Sequence, residues 1–428
     1  MSPVKSVISG YRKVEPHILY AVAAQFGIQM VNTAFFLLLN YYMAAEGFAD
    51  YEVSEVLSYR FLAVFWLAFP LGLFIKGRRL KPFFYVAAIG VPLLSHLILL
   101  AIANGWEQVL YGASMAWGVA YTCLQITILP FILLNARRDT HSEAFSLSFL
   151  SFSLTLCVVG VVNFFLSRLD PAFFTEKRML QIVSTLSLLG LYFVSRIRVR
   201  EQITERVPLQ QVWRDYDWPI IFKAIIPTSI IAVGAGFTIP VINLFFLKVH
   251  GVPSETFSIV GSVTFLLVAA VMVFMPYLRR SFGYRVAITL FQSMSVLALF
   301  LLATTEYYRD WPYAAAVALF FYVLRQPLMS AATPMTNELA MYYVGKRNQE
   351  IMSALNASIW SGSWFVSMKV FGWLRQLEFR YVSIFLITVA FYAVGVAWYA
   401  FLIRSYERRT GNNGQEKKGK AKRREAVS

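Results

Sequence analysis

The chain has 428 residues, of which 58% are hydrophobic and only 14% are charged. Soluble domains carry about 25% charged residues, so this composition predicts a membrane protein. The net charge of +16 would suit nucleic acid, but the basic residues cluster in short loops and in the segment from Arg404 onward. That distribution is typical of membrane topology and argues against a nucleic-acid interface. Cys123 and Cys157 lie in apolar segments and predict neither a disulfide nor a metal site.

Apolar segments long enough to cross a bilayer follow one another along almost the whole chain. A span needs about 20 apolar residues. The sequence predicts twelve spans, the first of them too long for a cleaved signal peptide. They are expected at about 18–44, 53–75, 82–104, 107–135, 142–167, 178–197, 219–248, 255–278, 284–305, 312–336, 350–375 and 380–404. No other segment is long enough to form a soluble catalytic domain.

The loops between the predicted spans alternate in charge. Basic residues precede the first span and follow every even-numbered one, as Arg78 and Arg79 do after the second. The other loops are acidic or mixed, as with Glu46 and Asp50. Cytoplasmic loops are rich in Lys and Arg, so the pattern predicts a multi-pass protein of the cell (inner) membrane with both termini in the cytoplasm.

The two halves of the chain carry similar features in the same order. The segment "NYYMAAEGFADYEVSE" corresponds to "NLFFLKVHGVPSETFS", which pairs Asn40 with Asn243. This repetition predicts a duplication of six spans. The expected domains are a first six-helix bundle (1–197), a cytoplasmic linker (198–216), a second six-helix bundle (217–404) and a basic, disordered cytoplasmic tail (405–428).

Three loops resemble those of the major facilitator superfamily of secondary transporters. They read "GLFIKGRRLKP", "PYLRRSFGYR" and "GKRNQEIMSALNASIWSGSW". In the first loop, Gly72, Gly77, Arg78 and Arg79 match the family pattern, whereas the family's acid is missing and Lys76 lies near its place. The resemblance implies an all-α fold of twelve transmembrane helices in two six-helix bundles. It also implies a solute cavity between the bundles that opens alternately to each side.

Polar side chains on otherwise apolar helices predict the solute site, because a wet cavity is where such groups are stable at membrane depth. At about 100° per residue, Gln25, Gln29 and Asn32 share one face of the first helix. Hydrogen bonding between helices is the alternative for these amides. The predicted substrate-binding residues are Gln25, Gln29, Asn32, Tyr121, Gln125, Asn243, Arg325, Gln326, Asn356 and Trp360.

Arg325 lies near the centre of the tenth span, roughly 18–20 Å from either end. A central arginine costs at least about 2.5–3.5 kcal/mol, so it needs a partner or a wet cavity. One hypothesis is that it braces the bundle by binding backbone carbonyls such as that of Val323, which Pro327 frees. The other is that it faces the solute. Because no Asp or Glu lies at a predicted midplane, the second hypothesis makes the solute anionic or strongly dipolar.

Three further residues carry weaker expectations. Arg60 and Lys369 lie nearer the outer ends of their helices and are expected to reach water along them. Pro240, which follows a run of small residues in the seventh span, predicts either a simple kink or a gating hinge.

The sequence therefore predicts a secondary active transporter of a small organic solute, working as a monomer in the lipid bilayer without a cofactor. An enzyme is not expected, because the four histidines show no paired-ligand or nucleophile spacing. A lipid or glycan-lipid flippase stays open as an alternative, and an intramembrane enzyme is a weaker one.

Overall fold

The computed structural model describes residues 13–75, 78–137, 140–199, 217–345 and 349–425, and all regular structure in these ranges is helical. Twelve long helices follow one another, as the sequence predicts. The first bundle contains α1 (Pro16–Ala45), α2 (Asp50–Ile75), α3 (Lys81–Asn104), α4 (Glu107–Asn135), α5 (His141–Leu169) and α6 (Glu176–Arg196). The second contains α7 (Trp218–His250), α8 (Ser254–Tyr284), α9 (Phe291–Thr304), α10 (Ala314–Val344), α11 (Gln349–Gln376) and α12 (Tyr381–Glu425).

Helix boundaries follow local residue preferences. Pro16 opens α1 and a proline lies in the first turn of α3 and of α7, where its missing N–H has no helical partner to lose. Gly105 after α3 and Gly251 after α7 end their helices in the left-handed conformation, with φ of 67° and 63°. A side chain would be strained there, so glycine is the suitable residue.

Ten of the helical segments in the described ranges are long and apolar enough to cross a membrane. The remaining two, α2 and α11, are 26 and 28 residues long and also carry charged residues. Their charged residues include Glu55 and Arg60 on α2 and Lys369 and Arg375 on α11. These two helices pack against each other between the bundles, so part of their charge is paired away from lipid.

The helices pack as two groups that meet mainly along two pairs of helices. In the first bundle α1 packs against α5 and α6, and α4 packs against α2 and α3. In the second, α7 packs against α11 and α12, and α10 against α8 and α9. The bundles meet where α2 contacts α11 and α5 contacts α8. At the second contact a side chain on Gly160 would collide with Ser258 and Ser262, so glycine permits the close approach.

Two helices depart from α-helical geometry at equivalent places. α1 contains a π-helical turn, Phe35–Leu39, and α7 contains a 3-10 turn, Ile239–Val241, around Pro240. Asn40 follows the first turn directly, and Asn243 lies two residues beyond the second. The seventh span thus departs from α-helical geometry at Pro240, and this departure has a counterpart in the first bundle.

The two ends of the molecule differ in the loops they carry. We call the end formed by loops 46–49, 105–106, 170–175, 251–253, 309–313 and 377–380 the acidic-loop end. The opposite, basic-loop end contains the described loop residues 78–80, 136–137, 140, 197–199, 217 and 345. Most of the expected linker, 198–216, and the basic loop residues Lys76, Arg138, Lys346 and Arg347 lie outside the described residues.

The sequence predicts a disordered tail from residue 405 onward. The structure continues α12 without a break to Glu425. This segment is rich in good helix formers such as Lys, Arg and Glu, but it also contains Gly411, Asn412, Asn413 and Gly414, which disfavour a helix. Because the membrane span has already formed the costly first turn, this basic sequence can extend the helix.

Candidate functional site

A cavity of about 130 Å³ lies inside the second bundle, between α7, α9, α10, α11 and α12. Its polar lining includes Gln292 on α9 and Arg325 and Gln326 on α10. Trp360 on α11 and Tyr392 on α12 contribute aromatic walls. Three predicted site residues, Arg325, Gln326 and Trp360, therefore come together here, although they come from two different helices.

Arg325 is buried within this bundle, with 1% of its surface exposed. Its Nη2 donates to the hydroxyl of Tyr392 at 3.1 Å, and its Nη1 donates to Oε1 of Gln326 at 3.1 Å. Its own backbone carbonyl accepts from Ser295 Oγ on α9 at 3.2 Å. The bracing hypothesis named backbone carbonyls as the partners of the guanidinium, whereas these two bonds go to side chains that line the cavity.

The charge of Arg325 has neutral partners in this cavity. The lining residues are aliphatic, aromatic, amide or hydroxyl groups, and the described ones include no Asp or Glu. Nε of Arg325 has no hydrogen-bond partner among the described residues. The site thus holds a positive charge and an unused donor, which is suited to an anionic or strongly dipolar group.

A second buried arginine lies in the first bundle, where the sequence had predicted a side chain reaching for water. Arg60 is only 8% exposed, so that expectation is wrong. Its Cζ lies 4.2 Å from the ring centroid of Trp117 and 5.3 Å from that of Phe35, and its Nη2 donates to Asn32 Oδ1 at 3.3 Å. The aromatic faces attract the cation, so the side chain turns inward.

Two more predicted residues join Arg60. The hydroxyl of Tyr121 donates to Oε1 of Gln29 at 2.6 Å, and the Tyr121 ring stacks on Trp117 with centroids 5.0 Å apart. Trp117 is fixed in turn by a bond from Nε1 to Ser95 Oγ at 2.9 Å. We call the group Gln29, Asn32, Arg60, Trp117 and Tyr121 the Arg60 cluster.

Gln25 and Asn356 lie apart from both groups, and Gln125 contacts the Arg60 cluster through Tyr121. Gln25 exchanges two bonds with Ser148 on α5, from Nε2 to the backbone oxygen at 3.1 Å and from Ser148 Oγ to Oε1 at 2.9 Å. This is the interhelical packing considered as the alternative. Gln125 is exposed and bonds Tyr121, and Asn356 is half-buried on α11 outside the cavity lining.

Asn243 binds its equivalent in the other bundle. Nδ2 of Asn40 donates to Asn243 Oδ1 at 2.7 Å and to the carbonyl of Pro240 at 2.8 Å. Nδ2 of Asn243 donates back to the carbonyl of Phe36 at 3.2 Å. We call Asn40, Asn243 and these two carbonyls the asparagine clasp. Both side chains are almost fully buried, so Asn243 joins the bundles and does not line the cavity.

Charged pairs extend this junction towards the acidic-loop end. Lys369 on α11, expected to reach water alone, pairs with Glu55 on α2. Arg375 binds Asp50 Oδ2 at 2.8 Å, and the hydroxyl of Tyr381 donates to the same oxygen at 2.6 Å. Among the described residues, side-chain hydrogen bonds join the two bundles. They lie in the half of the molecule that is nearer the acidic-loop end.

Sequence reasoning missed several of these residues. Arg60 was recognised as an intramembrane charge but was assigned to the helix end. Gln292 and Tyr392 carried only the weak signal of a lone polar side chain in an apolar span. Nothing in their spacing indicates that they face Arg325, because that depends on how three helices rotate against one another.

The family model of the Major Facilitator Superfamily matches residues 21–368. The chain belongs to this superfamily. The resemblance recognised from three loops is thereby confirmed, and so is the twelve-helix fold. No curated protein sequence matches the chain significantly.

Solved structures of other superfamily transporters have the same fold at low sequence identity. The nucleoside transporter NupG is 13% identical, with 90% of this chain and 99% of that chain covered and a TM-score of 0.64. A D-xylose–proton symporter is 15% identical over 89% of this chain and 96% of that chain, with a TM-score of 0.68. The POT family transporter PepTSo is 11% identical over 92% and 98%, with a TM-score of 0.72. At these identities the likeness shows the fold and leaves the solute undetermined.

Proposed function

We propose that the chain is a secondary active transporter that moves a small organic solute with an anionic group by alternating access. Membership of the superfamily supports the transport class. The similar structures include those described as nucleoside, D-xylose–proton and peptide transporters. The anionic group rests on one observation, which is Arg325 buried in a polar cavity whose described lining carries no acid.

The argument for an anion is energetic. Burying a central arginine in a membrane protein costs at least about 2.5–3.5 kcal/mol, and charge–dipole bonds to Tyr392 and Gln326 offset part of that cost. A carboxylate or similar group at Nε would offset more, because hydrogen bonds between two charged groups are the stronger ones. The solute would then be bound most tightly where it neutralises Arg325.

The junction between the bundles supports alternating access. The asparagine clasp and the pairs Glu55–Lys369 and Asp50–Arg375 hold the bundles together at the acidic-loop end. Alternating access requires these bonds to break when that end opens. We place the basic-loop end and both termini in the cytoplasm of the cell (inner) membrane, following the charge asymmetry of the loops.

Uptake into proteoliposomes tests the proposal. The purified chain is reconstituted, supplied with a mixture of small organic acids, sugars and nucleosides, and the vesicle contents are analysed by mass spectrometry. Solutes accumulated over protein-free vesicles should be anionic. Arg325→Gln should abolish their uptake, and Arg325→Lys should reduce it, because lysine keeps the charge but loses the planar fork. Arg309→Gln is the matched control, since Arg309 is an exposed arginine in a loop.

Two results would contradict the proposal. Accumulation of neutral solutes with unchanged kinetics in Arg325→Gln would remove the role of the arginine. Scrambling of fluorescent phospholipids in the same vesicles, without solute uptake, would favour the flippase alternative.

The orientation has a separate test. Single cysteines introduced at Asp170 and at Arg200 in a cysteine-free variant are exposed to a membrane-impermeant maleimide on intact cells. Labelling is expected at 170 and not at 200. The reverse pattern would overturn the orientation without affecting the transport proposal.

A further inference from the structure

Two side chains that line the cavity in the second bundle each carry a buried polar atom without a partner in the described part of the chain, and the two atoms are of opposite character. Nε of Arg325 is a donor, and Oε1 of Gln292 is an acceptor. Both atoms are buried, and neither has a hydrogen-bond partner among the described residues. Arg325 is 1% exposed and Gln292 is 3% exposed. Buried polar groups are normally paired, so two in one cavity indicate a missing ligand or water.

The helix contacts place these two side chains on the same side of the α9–α10 interface. Ser295 on α9 donates to the backbone carbonyl of Arg325 at 3.2 Å. Gln292 precedes Ser295 by three residues, so the two share one face of α9. Gln292 therefore lies one turn from the point where α9 contacts Arg325, and both residues line the same cavity.

Several other polar groups around the cavity are already engaged. Tyr392 and Gln326 bind Arg325, and Thr228 Oγ1 lies 2.9 Å from the hydroxyl of Tyr399. Among the buried side-chain atoms of the lining residues, one charged donor and one amide acceptor thus have no partner among the described residues, while Ser330 and Asn337 also line the cavity. A ligand must present an acceptor to Arg325 and a donor to Gln292.

The size of the cavity limits the ligand. Its volume is about 130 Å³, and a protein cavity of about 150 Å³ is known to hold benzene, a molecule of six heavy atoms. The site therefore accepts a ligand, or a part of one, of about six heavy atoms. Ile231, Ile239 and Met329 add apolar wall, which suits a carbon skeleton better than a fully hydrated ion.

From these observations we propose that the cavity binds a small carboxylate that carries a hydroxyl or amino group on the adjacent carbon. The carboxylate binds Nε of Arg325, and the hydroxyl or amino group donates to Oε1 of Gln292. This inference rests on the proposed transport function and names the solute class for the same site. Dihydrogen phosphate shares the pairing of donor and acceptor, and the experiment separates it from the carboxylate.

Calorimetric binding to the purified chain in lipid nanodiscs provides the test. The probes are L-lactate, L-alanine, propionate, lactamide and inorganic phosphate. Lactate or alanine should bind about 10- to 100-fold more tightly than propionate, because propionate leaves Gln292 Oε1 unpaired. Lactamide, which lacks the charge, should bind weakly. Gln292→Leu should remove the preference for lactate or alanine while keeping propionate binding, and Arg325→Gln should remove binding of all three carboxylates.

The control is Thr388→Val, which removes a buried bond to Thr238 within the same bundle and should leave the preference intact. If Gln292→Leu does not fold, Gln292→Met replaces it. Equal binding of lactate, alanine and propionate, or a preference that survives loss of the amide, would overturn the inference. So would tighter binding of phosphate than of lactate, or equal binding of lactamide and lactate.

The outcomes also separate this inference from the transport proposal. If the probes bind in the expected order but vesicles accumulate nothing, the ligand class stands and the transport proposal fails. If vesicles accumulate a different anion in an Arg325-dependent manner while no probe binds, transport stands and the ligand class is wrong.

Discussion

Breaking the asparagine clasp should shift the protein towards a conformation in which the acidic-loop end is open. The perturbations are Asn40→Leu, Asn243→Leu and the double variant, since leucine has a similar size and removes all side-chain hydrogen bonding. Asn40→Leu loses the bonds to Asn243 Oδ1 and to the Pro240 carbonyl, at 2.7 and 2.8 Å. Asn243→Leu loses the first of these and the bond to the Phe36 carbonyl, at 3.2 Å.

The magnitude follows from the number of bonds. Side-chain hydrogen bonds inside membrane proteins average about 0.6 kcal/mol and reach about 1.7 kcal/mol. Each single variant loses two bonds between the bundles, so it should favour opening by about 1–3 kcal/mol, which is roughly 5- to 150-fold in the equilibrium constant. Asn243→Leu also loses the bond from the Leu244 amide, which lies within α7 and does not join the bundles. Both single variants lose the bond between Asn40 and Asn243. The effect of the double variant on the free energy of opening should therefore be smaller than the sum of the two single effects, by about 0.6–1.7 kcal/mol.

The measurement is a distance distribution between two spin labels at the acidic-loop end. Ala45→Cys and Lys248→Cys place the labels at exposed, equivalent positions on α1 and α7, in a background with Cys123 and Cys157 replaced by serine. The variants should show a larger population at long distance. Thr238→Val, which loses a buried bond inside one bundle, should lower stability without this shift. An unchanged distribution in the double variant, with lower resistance to unfolding, would show that the clasp only stabilises the fold.

Three further predictions concern other contacts. Charge reversal at Glu55→Lys or at Lys369→Glu should reduce transport, and combining the two should restore part of it. The pair is worth only about 0–1 kcal/mol, because both side chains are partly exposed. Equal activity in the two single variants and the double variant would contradict a role for the pair. Gly118→Val should lower the thermal unfolding temperature more than Gly112→Val does. A Cβ at Gly118 would collide with the Arg60 carbonyl, whereas a Cβ at Gly112 would meet open space. Equal losses of unfolding temperature would refute the close packing of α2 and α4. For Glu15, burial raises the pKa, but bonds from Arg137 and Thr140 outweigh it and lower the pKa to about 2. This carboxylate should therefore stabilise the folded chain at pH values above its unfolded pKa of about 4.5, and it should lose that contribution as the pH falls towards about 2. The difference in unfolding midpoint between the native chain and Glu15→Gln should shrink over that range.

Much of the architecture was predictable from the sequence because the bilayer restricts the possibilities. A span needs about 20 apolar residues, so the number and order of helices follow from composition. The equivalence of Asn40 and Asn243 was visible from the repeated segment, and the cost of a central charge singled out Arg325. Each of these inferences uses only neighbouring residues or the membrane as solvent.

The tertiary structure decided which polar groups meet. The sequence placed Gln29, Asn32, Asn243 and Arg325 in one site, whereas the structure separates them into the Arg60 cluster, the asparagine clasp and the cavity of the second bundle. Arg60 sits on Trp117 at 4.2 Å because α2 and α4 pack with those faces together. Helical periodicity fixes which residues share a face of one helix, but the rotation and axial position of one helix against another depend on contacts with distant parts of the chain.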